Sequence, residues 1–328
     1  MGTVLNTINI CVFCRKSMRS STNAYLLASS ISQLLYSLVM VPYTVRLVTY
    51  GNTTNLFSIM FGIYVANYVA VVLRRFTFII ACVVSMERFL VTTTPLKAKQ
   101  YRLVHSPGQF IMGVSLFSVL VHIHSLVRNT VITNHKDGIT TYSVCETGFY
   151  KNHVSVVTAW STTARVLAVY LAITTALIFN IVVVISLRRQ RQFRENITNA
   201  RVVDKMKARE KQTTVTILVT NCLYLVLCVP MVTNSMAFDL SPVYGYFSHY
   251  YKNVYMVIQD LGSTCVLLGL SVDFFSHMML SEMYRATFLC MFKPKCVAIP
   301  LTHSEYQLED SKSDNFKSVS NVTLTSHL

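Results

Sequence analysis

Ionisable side chains stand inside several long apolar runs of this sequence. Glu87 and Arg88 are adjacent near the end of one run, and Arg74 precedes Arg88 by 14 residues in the same run. Because 14 residues make almost four helical turns, the two arginines project toward nearly the same face, about 21 Å apart. A charge within an apolar segment is costly unless it is paired or functional. These residues therefore indicate ion pairing or the recognition of an anionic or carbonyl-rich group.

Composition excludes most classes of soluble protein. Only 13% of the 328 residues are charged and 52% are hydrophobic, whereas roughly a quarter of a soluble domain is charged. The net charge of +15 would suit a nucleic-acid partner, but such proteins do not carry several long apolar runs, so we expect no nucleic acid. The sequence contains no G-x-S-x-G, P-loop or H-E-x-x-H motif. We predict that the protein is not an enzyme and uses no cofactor.

Membrane-spanning helices are predicted instead, because a span needs about 20 mostly apolar residues. The first run, Gly2–Cys14, covers only about 20 Å; we interpret it as the inner half of a first helix whose outer half is missing, as in a truncated gene model or a fragment. Ser281–Phe292 is predicted to be a short amphipathic helix on the membrane. The fold class is an all-α membrane protein, a seven-transmembrane helix bundle with the first helix incomplete. The six full spans are Ala24–Val48, Phe57–Val91, Gln109–Val131, Thr158–Leu187, Thr213–Phe238 and Asn253–Leu280.

Basic residues between the spans predict the orientation of the chain. The connector Arg188–Lys211 contains nine basic and three acidic residues, whereas Asn134–Lys151 has few basic residues. Basic connectors stay cytoplasmic, so the C-terminus is expected inside and Asn134–Lys151 outside. The sequon Asn52-Thr53-Thr54 then lies outside, where Asn52 is a candidate for glycosylation.

The end of the chain is predicted to be a separate cytoplasmic tail. We expect residues 1–295 to form the membrane domain and residues 296–328 to be disordered, because the tail is rich in Ser, Thr and acidic residues. Such a tail suits phosphorylation by a kinase. Cys290 and Cys296 are candidate palmitoylation sites on positional grounds alone.

Five local patterns occur in the order found in rhodopsin-like G-protein-coupled receptors. The chain resembles this family over roughly residues 2–295, and the nearest match is the invertebrate neuropeptide, FMRFamide-receptor-like subgroup. The resemblance implies a plasma-membrane receptor with an extracellular peptide ligand, a heterotrimeric G protein as partner, and arrestin and a kinase acting on the tail. The patterns are Cys14–Ala28, Ser85-Met86-Glu87-Arg88-Phe89, Pro95-Leu96, the set Tyr224, Cys228 and Pro230, and Ser271-Val272-Asp273-Phe274-Phe275.

The resemblance assigns roles to residues at the cytoplasmic half of the bundle. Glu87, Arg88 and Phe89 are implied to couple to the G protein; the alternative for Arg88 is a snorkelling charge that only sets topology. Arg188–Lys211 is either a contact for the G protein or anionic lipid, or simply a topology signal. The residues implied to switch between inactive and active states are Gln33, Asp273, Tyr224, Cys228, Pro230 and His277.

Gln33 and Asp273 stand at positions that face each other in the family as an acid and an amide, here exchanged between the two helices. This pair is either a polar, cation-binding switch or a neutral Asp273 hydrogen-bonded to Gln33. Other positions also depart from the family pattern, and helix three lacks the cysteine that would pair with Cys145. The substituted positions are Thr3 for asparagine, Ala172 for proline, Asn180 for tyrosine, Cys228 for tryptophan, Phe274 for proline and His277 for tyrosine.

A ligand pocket is predicted in the outer half of the bundle. Arg74 is expected either to accept a ligand group or to form an internal salt bridge, with Asp260 one conceivable partner; Arg75 points elsewhere and is expected to be structural. His122 and His124 are two residues apart, a spacing that does not favour a metal site. The remaining candidates for ligand binding are Asn67, Arg165, Tyr255, Gln259 and Asp260.

The predicted function is that of a receptor for a small neuropeptide. Two alternatives stay open at this point. One is a degenerate receptor-like membrane protein that no longer signals, favoured by the altered motifs. The other is a transporter or channel, which would show internal repeats or broken helices with paired charges.

Overall fold

The computed structural model describes residues 1–50, 55–98, 100–136, 139–195, 203–241, 243–245 and 250–292. Eight principal helices and one hairpin of two strands make up this part of the chain. Four helices come before or end at the hairpin: α1 Gly2–Phe13, α2 Ser21–Tyr50, α3 with segments Leu56–Met60, Phe61–Val69 and Ala70–Thr93, and α4 with segments Pro107–Val121 and His124–Arg128.

The second half of the bundle follows the hairpin. Short helices occupy Lys16–Met18, Pro95–Ala98, Arg102–His105 and Gly148–Asn152 in the connectors. The remaining helices are α5 with segments Val154–Arg165, Val166–Leu171 and Ala172–Glu195, α6 Val203–Leu240, α7 Lys252–Leu280 and α8 Glu282–Phe292.

Six of these helices, α2 to α7, are long and apolar enough to cross a membrane. The helix α1 is also apolar, but its 12 residues are fewer than the roughly 20 that a full span needs. Backbone groups in a bilayer must be satisfied within the segment, which a helix achieves. The prediction of a multi-span helical membrane bundle is therefore confirmed.

The hairpin was not predicted. Strand β1, Asn129–Lys136, pairs antiparallel with β2, Ile139–Glu146, from Asn129 opposite Glu146 to Lys136 opposite Ile139. Both strands are rich in β-branched Thr, Val and Ile, which favour strands. The predicted span Gln109–Val131 is thus too long, because α4 ends at Arg128 and Val131 lies in β1. We call this side of the bundle the hairpin end and the opposite side the Arg88 end.

The core of the bundle joins α3, α6 and α7. A cluster of buried side chains consists of Phe78, Tyr224, Cys228, Met231 and Val266. Two glycines of α7 allow the close approach of α6, because a Cβ at Gly262 would lie 2.8 Å from Met231 Cα and one at Gly269 would lie 3.1 Å from the Tyr224 ring.

Two helices contain π segments, Phe61–Val69 in α3 and Val166–Leu171 in α5. A π segment has more residues per turn than an α-helix, so the side chains before it are rotated relative to those after it. Pro230 lies inside α6, where it removes one backbone hydrogen bond and favours a bend.

The chain divides into two compact units, residues Met1–Arg285 and Ala286–Leu328. The described part of the second unit is the end of α8, in which the rings of Phe288 and Phe292 meet edge to face at 5.0 Å. The predicted domain boundary at residue 295 and the predicted tail lie outside the described residues.

Candidate functional site

The Arg88 end is built around an acid–arginine pair bridged by a hydroxyl. Arg88 Nη2 lies 3.4 Å from Glu87 Oε2. Thr22 at the start of α2 donates its hydroxyl to Glu87 Oε2 at 2.8 Å and accepts a hydrogen bond from Arg88 Nη2. Because Glu87 is only 1% exposed, the Thr22 hydroxyl supplies a hydrogen bond that water would otherwise give to the carboxylate. The pair on α3 and the Thr22 hydroxyl therefore hold α3 against the start of α2.

Neighbouring contacts fix this pair in place. The Tyr25 hydroxyl donates to the Leu103 carbonyl at 2.8 Å, which ties α2 to the connector after α3. The Phe89 ring stacks on Phe179 of α5 at 5.1 Å. Phe89, predicted to contact a G protein, therefore packs between α3 and α5 in this structure.

Two amides hold α6 at the same end. Asn221 Nδ2 donates to Ser85 Oγ of α3 at 3.1 Å, and Gln212 Nε2 donates to the carbonyl of Leu280 at 2.9 Å at the end of α7. Sequence reasoning missed these residues and Thr22. The available signal was a polar side chain within an apolar run, since such groups are buried only with partners.

The predicted acid–amide pair is in contact. Gln33 Nε2 donates to Asp273 Oδ2 at 3.0 Å and to Ser29 Oγ at 3.2 Å. Both members are buried, and Gln33 Oε1 has no hydrogen-bond partner among the described residues. The structure thus brings together two side chains that are 240 positions apart.

An aromatic cluster lies beside this pair, toward the Arg88 end. The ring of His277 stacks on Tyr284 of α8 at 5.4 Å and meets Phe13 edge to face at 5.4 Å. The Tyr284 hydroxyl donates to Asn9 Oδ1 at 2.5 Å. Burial and the nearby charge of Asp273 raise the pKa of Tyr284, so the hydroxyl keeps its proton and acts as a donor. Asn9 and Tyr284 were not predicted as site residues.

The buried amide of α1 also differs from the expectation. Asn6 is fully buried and donates to the Gly2 carbonyl at 3.0 Å, whereas Thr3 is partly exposed. The buried polar positions of α1 that face the bundle are therefore Asn6 and Asn9, which lie three residues apart on one helix face, and not Thr3.

The predicted switch residues of α6 line the core. The Tyr224 ring packs on Phe78 of α3 with centroids 5.7 Å apart, and Cys228 is fully buried beside Val266 of α7. Pro230 follows two residues later. These side chains form part of the interface of α6 with α3 and α7.

A charged pair ties α5 to α6 at the hairpin end. Arg165 binds Asp239 with two contacts, Nη2 to Oδ1 at 2.5 Å and Nε to Oδ2 at 3.0 Å, and the Tyr170 hydroxyl donates to Asp239 Oδ2 at 2.9 Å. The guanidinium of Arg165, predicted to bind a ligand, is thus engaged within the protein. Its partner Asp239 lay just beyond the predicted span.

Arg74 is not paired with Asp260. Its Nη1 donates to Met231 Sδ at 3.2 Å, and Asp260 is exposed on α7. The internal salt bridge with Asp260 suggested by the sequence is therefore wrong. Asn67 is exposed as well, because the π segment that contains it rotates it away from the stripe it would share with Arg74 in a regular helix.

The other predicted ligand residues belong to a polar and aromatic cluster between α6 and α7. Asn234 Nδ2 donates to Gln259 Oε1 at 3.1 Å, and the Tyr244 hydroxyl donates to Asn234 Oδ1. The Tyr255 ring meets Tyr244 edge to face at 5.7 Å. Tyr255 and Gln259 are brought together here, and Asp260 points outward.

A groove of about 550 Å³ lies at the Arg88 end, between α1, the start of α2 and the start of α4. Its wall is apolar and its rim carries a basic residue, Arg19, with serine hydroxyls beside it. The groove is lined by Phe13, Cys14, Met18, Arg19, Ser20, Ser21, Asn23, Ala24, Leu27, Val104, His105 and Pro107.

Among the candidates for modification, Cys290 is exposed on α8, whereas Asn52 and Cys296 lie outside the described residues.

The six spanning helices, with polar contacts buried between them, define a multi-pass helical membrane protein. The family model for the 7 transmembrane receptor (rhodopsin family) matches residues 5–272, and the chain belongs to this family of signalling receptors, which are not enzymes. The match begins at Leu5, so it includes Asn6 and leaves Thr3 outside. No curated protein matches the chain significantly.

Proposed function

We propose that this protein is a plasma-membrane receptor that transmits the binding of an extracellular small peptide to a heterotrimeric G protein. The observation that carries the proposal is the closed network at the Arg88 end, in which Glu87 and Thr22 hold Arg88. This arrangement can release a guanidinium to a partner when the helices separate. The C-terminus and the Arg88 end are placed in the cytoplasm on the basis of the basic connectors.

Opening would require α6 to leave α3 and α7. The bonds Asn221–Ser85 and Gln212–Leu280 would break, each at a net cost of about 1 kcal/mol. Pro230 supplies the bend point, since the helix lacks one backbone hydrogen bond there. A ligand drives this change only by binding the open arrangement more tightly than the closed one.

The peptide character of the ligand is supported by the resemblance to the neuropeptide subgroup and by the hairpin end. Polar and aromatic side chains such as Tyr255 and Gln259 lie between α6 and α7 there, where such groups suit a peptide backbone and side chains. Arrestin and a kinase are proposed partners of the tail. Anionic membrane lipid suits the groove beside Arg19, because its rim is basic and its wall apolar.

Basal nucleotide exchange tests the coupling without a known ligand. Asn221→Ala removes the bond to Ser85, and a loss of about 1 kcal/mol is expected to raise the open population and basal exchange roughly fivefold. Arg88→Ala in that background is expected to abolish exchange on purified G proteins of each class. Arg15→Ala, an exposed arginine at the same end, is the matched control and should leave exchange high.

The same assay separates this function from that of a receptor-like protein that does not signal. That second candidate is favoured by His277, which is buried against Tyr284 and Phe13 where the family resemblance implies a tyrosine. Silence of Asn221→Ala with every G protein, at normal surface amounts, would support the second candidate and refute coupling. A tag at the C-terminus that is cleaved by protease outside intact cells would refute the proposed orientation.

A further inference from the structure

Buried or half-buried arginines outnumber the carboxylates that contact them in the half of the bundle nearer the hairpin end. Arg74 and Arg75 are consecutive on α3, and Arg75 lies close enough to Arg165 of α5 to interact electrostatically. Within the part of the chain that the structure describes, Asp239 is the one carboxylate that contacts any of these three arginines, and it is bound to Arg165. Three guanidinium groups therefore face one carboxylate.

The other acids of this half do not restore the balance. Asp260 is exposed on α7 and Glu146 is exposed on β2. Asp273 is buried farther along α7, in its bond with Gln33. Among the described residues, two positive charges thus have no carboxylate beside them inside an apolar bundle, where an unpaired ion is expensive.

Burial of Arg75 and of the Nε atom of Arg74 makes this charge imbalance significant. Arg75 is only 6% exposed, and its Nε has no hydrogen-bond partner among the described residues. The Nε of Arg74 is also buried without a hydrogen-bond partner among the described residues, and its Nη1 donates to Met231 Sδ. A thioether is a weak acceptor and carries no charge. The Nε–H donors of both groups are therefore available to an anion.

A histidine of α4 adds a complementary group. His122 is 3% exposed and lies within electrostatic reach of Arg75 and Arg74. Its Nδ1 lies 3.0 Å from the Ser118 carbonyl, while Nε2 has no partner in the described residues. Because a carbonyl only accepts, Nδ1 carries the proton and Nε2 of the neutral ring is an acceptor. The site thus offers donors to a negative group and an acceptor to a neighbouring N–H or O–H.

We propose that the cluster of Arg74 and Arg75 on α3 and His122 on α4 binds a negatively charged group, and that the receptor's ligand carries a carboxylate or another acidic group there. The second part rests on the proposed function. The C-terminal residue of a peptide with a free carboxylate presents both a negative group and an adjacent N–H, and in this respect the proposed ligand differs from the amidated peptides after which the FMRFamide-receptor-like subgroup is named. A small inorganic anion such as chloride shares the charge and is the other source to be distinguished.

Binding of anions is measured on the purified full chain in lipid nanodiscs. Trp160, the single tryptophan, lies with its ring 6.0 Å from His124 on α4, so its fluorescence reports unfolding near the site. The probes are sodium chloride against sodium gluconate at constant ionic strength, and one degenerate tetrapeptide pool made with free carboxylate or with amide termini. Peptides retained by the immobilised receptor are counted by mass spectrometry.

The acid-terminated pool is expected to be retained at least about tenfold better than the amidated pool, as for the loss of a charge-assisted hydrogen bond. Arg75→Gln should remove this preference, and Arg75→Lys should retain most of it. Asp239→Asn should strengthen it, since one negative charge is lost. Arg128→Gln is the matched control, because Arg128 packs over the Tyr150 ring at 5.3 Å at the end of α4.

A chloride-dependent rise in unfolding temperature that Arg75→Gln abolishes would assign the site to an inorganic anion. Equal retention of both pools without a chloride effect, or an anion effect that is the same in Arg75→Gln, would overturn the proposal. If Arg75→Gln does not fold, the opposite shift expected for Asp239→Asn decides. The basal exchange assay adds no peptide and is run at one chloride concentration, so loss of G-protein coupling and loss of anion binding are observed separately.

Discussion

Removing either partner of the Gln33–Asp273 contact is expected to destabilise the bundle. Gln33 Nε2 donates to Asp273 Oδ2 at 3.0 Å, and both residues are buried between α2 and α7. A hydrogen bond to a charged group contributes about 1.5–3 kcal/mol, and one between neutral groups about 1 kcal/mol. Gln33→Met also removes the bond to Ser29, so we expect a loss of about 3 kcal/mol in the free energy of unfolding.

The pairwise energy is measured with a double-mutant cycle of Gln33→Met and Asp273→Ala in nanodiscs. A coupling energy of about 2 kcal/mol is expected if Asp273 is ionised. For a protein of 328 residues, that corresponds to roughly 3 °C in unfolding temperature. Ser32 lies on α2 beside Gln33 and donates a neutral hydrogen bond to the Leu73 carbonyl of α3. Ser32→Ala is therefore the control and should lose about 1 kcal/mol in the free energy of unfolding.

A coupling energy below about 0.5 kcal/mol, within the additivity of independent sites, would refute the reasoning that this pair links α2 to α7. A value near 1 kcal/mol would instead identify Asp273 as neutral. In that case the interpretation of the pair as a charged switch would be wrong, although the contact itself would stand.

Three further changes test the packing and the polar contacts of the bundle. Gly262→Ala should destabilise the protein by about 1–3 kcal/mol, since the added Cβ would lie 2.8 Å from Met231 Cα. Gly113→Ala is the control, because a Cβ there would meet nothing within 4 Å. Equal unfolding temperatures for the two variants would contradict close packing of α6 on α7. Tyr284→Phe should lose about 1–3 kcal/mol through the bond to Asn9. Because the raised pKa of Tyr284 keeps the phenol protonated, its contribution is fully present below the unfolded pKa of about 10 and is lost only above it, so the loss should be the same at pH 6 and pH 8. Arg165→Gln should lower stability by about 2 kcal/mol, at the lower end for a buried pair because the arginine is 22% exposed; an unchanged melting curve would show that Asp239 does not depend on it.

Much of the architecture could be predicted from local chemistry. Six apolar runs identified the spanning helices, and only their ends differ from the structure; for example, α4 stops at Arg128 before β1. The position of Arg88 beside Glu87 was evident, and the family resemblance implied that Gln33 and Asp273 face each other. These features depend on hydropathy and on motif order, which a linear chain displays directly.

The partners of the site residues were decided by tertiary structure. Thr22 reaches Glu87 across 65 positions and Tyr284 reaches Asn9 across 275, and Arg165 is bound by Asp239 rather than open to ligand. The π segment Phe61–Val69 also altered the face on which Asn67 lies. Sequence alone determined which segments enter the bilayer, because burial in lipid depends on each segment's own polarity. Which side chains satisfy one another depends on helix rotation and packing, and these are set only when all the helices are in contact.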